Sequence, residues 1–205
     1  MTWYADEILI TGTARALKWA AASALADSSY VVRELAENSW DRPDQEHGLP
    51  SEGLLVVRPV CGKSSYGAKW HDSAFVDWST LIGTEVQVSS NRDVDQVIAE
   101  YLDEESTPPL PFRAFLSQLS HSLEQSVVYY ACAMWGGDID YEYSLIYSPN
   151  ELIATTRPTL PPERPGEGDA LQVGLLALGL RLPTPFFALH TRSFPWGEHR
   201  LRSEA

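Results

Sequence analysis

VVYYACAMWGGDIDYEYSLIYS, residues Val127 to Ser148, is the stretch whose reading decides the fold. It runs apolar into Gly136-Gly137 and emerges acidic and aromatic. Two glycines between β-rich runs mark a tight hairpin, because the favoured two-residue turns need positive φ. Such a turn sets a register in which Trp135 faces Asp138, Met134 faces Ile139, Cys132 faces Tyr141, Tyr130 faces Tyr143 and Val128 faces Leu145. Side chains alternate along a strand. One face then carries Val128, Tyr130, Cys132, Met134, Ile139, Tyr141, Tyr143 and Leu145, and is expected in the core. The other carries Val127, Tyr129, Ala131, Ala133, Trp135, Asp138, Asp140, Glu142, Ser144 and Ile146, and is expected to be the polar side of a half-buried sheet. A slip of one residue would bury the carboxylates, which is costly without partners.

The flanking sequence supplies further elements. Phe112 to Glu124 has Phe112, Phe115, Leu116, Leu119 and Leu123 on one side, and reads as an amphipathic helix. Pro111 stands where a first helical residue is tolerated. Upstream, Gly12 to Ala26 is rich in Ala and Leu and predicts a helix capped by Thr11 or Thr13. Tyr30 to Leu35 and Leu54 to Val60 are candidate strands, with Pro59 at an end or an edge. Asp41 to Gly53 and Cys61 to Trp70 read as loops. Phe75 to Trp78 and Thr84 to Val88 are candidate strands. Ser90 to Asp93 has capping-box spacing and opens a helix to about Glu104. After the hairpin come a strand at Leu152 to Thr156, a loop over Arg157 to Gly168, and a helix over Ala170 to Leu180 with Asp169 as its cap. The closing PTPFFALHTRSFPW reads as a final strand and an aromatic turn. The sum predicts an α+β fold: a mostly antiparallel sheet with the Gly136-Gly137 hairpin, packed against about four helices. Residues 1–205 read as one domain, with a candidate subdivision near 106–111.

Composition bounds the function. Among 205 residues, 28 Asp and Glu oppose 15 Lys and Arg, a formal charge of −13. That field repels nucleic acid and anionic membrane, so neither is an expected partner. It attracts a basic protein. The same acidity also serves solubility alone. Seven Trp and nine Tyr suit both a core and an interface. There is no signal-peptide pattern and no run of apolar residues long enough for a membrane span, so a cytoplasmic location is expected. Cys61 and Cys132 form no metal or redox motif and are expected as free thiols.

Three readings of the acidic hairpin strand stay open. It is a solvated face that discourages edge pairing. Or it is a binding face, with Tyr129 and Trp135 as aromatic anchors beside Asp138, Asp140 and Glu142. Or it is a metal or acid/base site. Carboxylates at alternate strand positions stand about 6–7 Å apart, too far for three to share one ion unaided. No metal and no cofactor is therefore expected. Gly62-Lys63-Ser64 resembles the end of a phosphate-binding loop, but Val57 stands where that loop needs glycine. His71, next to Asp72 and Ser73, matches hydrolase residues only by type, and no nucleophile-elbow motif occurs. His190 and His199 lie in a basic tail with Arg192, Arg200 and Arg202.

A helix followed by SVVYYACAMWGGDIDYEYSLIYSP resembles a pattern in small bacterial immunity proteins encoded beside polymorphic toxins. There a strand ending in WGG precedes an acidic, aromatic strand. FFALHTRSFPW is similar to the end of the same group. The resemblance rests mainly on residues 112–148 and 183–196. It implies an α+β cytoplasmic protein without catalysis that binds a cognate toxin, a secreted toxin domain among the candidates, and blocks its active site. The site residues expected for such a role are Tyr129, Trp135, Asp138, Asp140 and Glu142. The alternatives are an enzyme with a carboxylate/His site and a subunit of a larger assembly. Oligomeric state is left open.

Overall fold

The computed structural model describes residues 3–34, 48–60, 62–64, 67–69, 108–135, 138–156, 170–180 and 195–201. The expected strands at 75–78 and 84–88, the helix at 90–104 and the final strand within 183–194 fall outside them.

Eight strands and three α-helices are described. They are β1 (Trp3–Thr11), α1 (Ala14–Ala22), β2 (Ala26–Val32), β3 (Leu54–Pro59), β4 (Gly62–Ser64), β5 (Gly67–Lys69), α2 (Leu110–Leu123), β6 (Val127–Trp135), β7 (Asp138–Ser148), β8 (Glu151–Thr156) and α3 (Ala170–Ala177). A 3-10 turn spans Trp196–His199. Six strands form one antiparallel sheet in the order β2-β3-β1-β6-β7-β8, and β4 and β5 pair as a separate ribbon. The α+β class with an antiparallel sheet is as the sequence indicates. Three helices among the described residues stand in place of about four.

The N-terminal strand is the element that sequence reading passed over. β1 lies at the centre of the sheet, between β3 and β6. Thr13 caps the helix that follows, its hydroxyl accepting from the Ala16 N–H at 3.3 Å. That helix stops at Ala22, and Ala26 already belongs to β2. β1 and β2 both run antiparallel to β3, so they are parallel to each other, and α1 is the crossover between them.

The sheet is covered on both faces. On one, α1 and α2 pack over Ile8, Ile10, Leu55, Val57, Val127, Tyr129, Tyr143, Leu145 and Tyr147. The predicted stripe of α2 delivers Phe112, Leu116, Leu119 and Leu123 to this layer. On the other, Leu171 and Leu175 of α3 and Leu178 and Leu180 just after it join one cluster with Leu9, Leu54, Val56, Val128, Tyr130, Cys132 and Ile146. Each fully buried Leu, Ile, Val or Phe contributes about 1.5–3 kcal/mol relative to exposure.

The C-terminal ends of α2 and α3 are closed by main-chain motifs. At the end of α2, Gln125 N–H donates to Ser120 O at 3.3 Å and Glu124 N–H to His121 O at 3.2 Å. Glu124 takes φ 58° there, a left-handed residue more often occupied by glycine. At the end of α3, Leu180 N–H donates to Leu175 O at 2.9 Å, and Gly179, with φ 74°, supplies the left-handed position.

Candidate functional site

The hairpin forms, but its register is not the one expected along its whole length. Trp135 pairs with Asp138 and Met134 with Ile139, as a two-residue connection requires. Gly136 and Gly137 themselves lie outside the described residues. Beyond Met134 the ladder shifts: Ala133 pairs with Tyr141, so Asp140 is an extra residue on β7. From there Cys132 faces Glu142, Tyr130 faces Ser144 and Val128 faces Ile146. The bulge moves the rest of β7 by one residue relative to β6. A one-residue slip exchanges the faces of every side chain.

This corrects the expected polar face. Tyr129 is fully buried, its ring edge-on to Phe112 at 5.3 Å and 6.0 Å from Tyr143. Glu142 is buried too, at 4% exposure, on the opposite face with Tyr130 and Cys132. Neither is a surface contact residue. Trp135 ends β6, Asp138 begins β7 and Asp140 marks the bulge, so these three sit together at the tip. The five residues therefore do not share one surface.

Burial of Glu142 is made tolerable by a phenol. The Tyr130 hydroxyl donates to Glu142 Oε1 at 2.9 Å. Burial is the main cause that holds the Tyr130 phenol well above its ordinary value, with the charges of Cys132 and Glu142 adding to it. It therefore stays a protonated donor at neutral pH. Ser144, two residues on, donates to Ala170 O of α3 at 2.6 Å.

Two further carboxylates, Asp6 and Glu7 of β1, are buried at 2% and 1% exposure. They were not singled out from sequence. The signal was present: adjacent acidic residues inside the apolar run WYADEILIT fall on opposite faces of any strand. Asp6 pairs with Ala131 and Glu7 with Tyr130. The Tyr129 hydroxyl reaches Asp6 Oδ1 in a long hydrogen bond of 3.4 Å. Burial, then the Tyr141 and Asp6 charges, likewise keep the nearby Tyr143 phenol protonated.

A phenol–carboxyl pair thus links β1 to β6 on one face, and a second links β6 to β7 on the other. A slip of either strand would separate its pair, so these contacts specify register. Among the described residues, no three His, Cys, Asp or Glu side chains are grouped to hold a metal ion. No described helix is long and apolar enough to cross a membrane. Cys132 is buried, is in no disulfide and faces Glu142, while Cys61 lies outside the described residues. So do His71, His190 and Arg192. His199 is described, and its ring packs edge-on to Tyr30 at 4.7 Å.

No protein-family model, no curated protein and no solved structure matches this chain.

Proposed function

We propose that this is a non-enzymatic binding protein of the toxin-immunity type, which meets a basic partner through the tip of the β6–β7 hairpin. The observation that carries the reading is charge: −13 overall, with Asp138 and Asp140 beside Trp135 where the hairpin turns. Steering by such a field accelerates encounter with a basic surface. An aromatic at the turn supplies the kind of anchor that interfaces favour. The buried members of the hairpin, Tyr129 and Glu142, hold the tip in place and make no contact in this reading. Cytoplasmic location and occlusion of a toxin's active site belong to the same proposal.

The test begins with the tagged chain as bait in its source cell, read by mass spectrometry. A single basic protein recovered in near-equal amount, and lost at high salt, supports the reading. Asp138→Lys with Asp140→Lys should then slow association about tenfold or more at low salt, with the difference fading as salt rises. The melting temperature should not move. Association unchanged at low salt would count against the tip.

A further inference from the structure

We draw no further inference here: the strongest candidate, the apolar surface of α3 around the exposed Leu176, carries nothing because nothing in the structure shows what covers it.

Discussion

Tyr130 shows how one hydroxyl decides whether an acid can be buried. Its bond to Glu142 is 2.9 Å long, and both side chains are buried. Removing one partner of such a pair costs more than removing both, because a lone buried acceptor keeps its desolvation penalty. Tyr130→Phe should therefore lower stability by about 1–3 kcal/mol in urea unfolding at neutral pH. Tyr130→Phe with Glu142→Leu should recover a good part of that loss. A single variant within about 0.5 kcal/mol of the parent would mean that the bond matters little. The residue scale is also where sequence reading failed most clearly. Glu142 reads as a surface acid because alternation counted forward from Gly136-Gly137 puts it there. Nothing in residue types announces a bulge at Asp140.

At the scale of elements, legibility followed the strength of the local pattern. The stripe of α2 and its prolines located that helix to within two residues at its start and one at its end. β3 was readable from four consecutive buried residues, Leu54 to Val57. The same kind of signal was present in β6 and was misread. Residues 127–133, VVYYACA, do not alternate, and all seven are buried. A continuous apolar run means a strand covered on both faces. The covering element is α3, and its fit depends on Gly174. A Cβ there would stand 2.8 Å from Val128 Cγ1 and 2.9 Å from Ser144 Oγ. Gly→Ala in a helix interior normally stabilises by about 1 kcal/mol. Here the methyl has no room, so Gly174→Ala should destabilise by about 1–2 kcal/mol in chemical denaturation. A more stable variant would show that α3 can lift off the sheet without cost.

For the molecule as a whole, the class was legible because helix and strand patterns alternate irregularly. The layering was not. A sheet with helices on both faces depends on α1 and α2 crossing one side and α3 the other, and no local pattern states which side a helix takes. The phenols in those two layers set the response of the fold to alkali. Tyr130 and Tyr143 hold their protons well above the ordinary value of 10.0, chiefly because they are buried. Below about 10 the folded and unfolded chains hold these protons alike, and stability does not depend on them. Above it the unfolded chain releases them first, so stability falls by up to about 1.4 kcal/mol per pH unit for each phenol, until the folded chain also ionises. Tyrosinate absorbance and circular dichroism followed together should show some tyrosines ionising only as the fold is lost. Ionisation of all nine with the fold intact would contradict the buried assignments.

The extra residue at Asp140 has a consequence for how this chain can diversify. It resets the phase of β7, so the four paired positions Met134, Trp135, Asp138 and Ile139 follow their own count, separate from the interior ladder of Val127 to Ala133. Substitutions at the tip therefore leave the pairing of Tyr130 with Ser144, and everything packed upon it, in step. The hairpin end is a replaceable cartridge on a fixed cassette. Sequence change at the hairpin end is thereby uncoupled from the layers packed on β6 and β7.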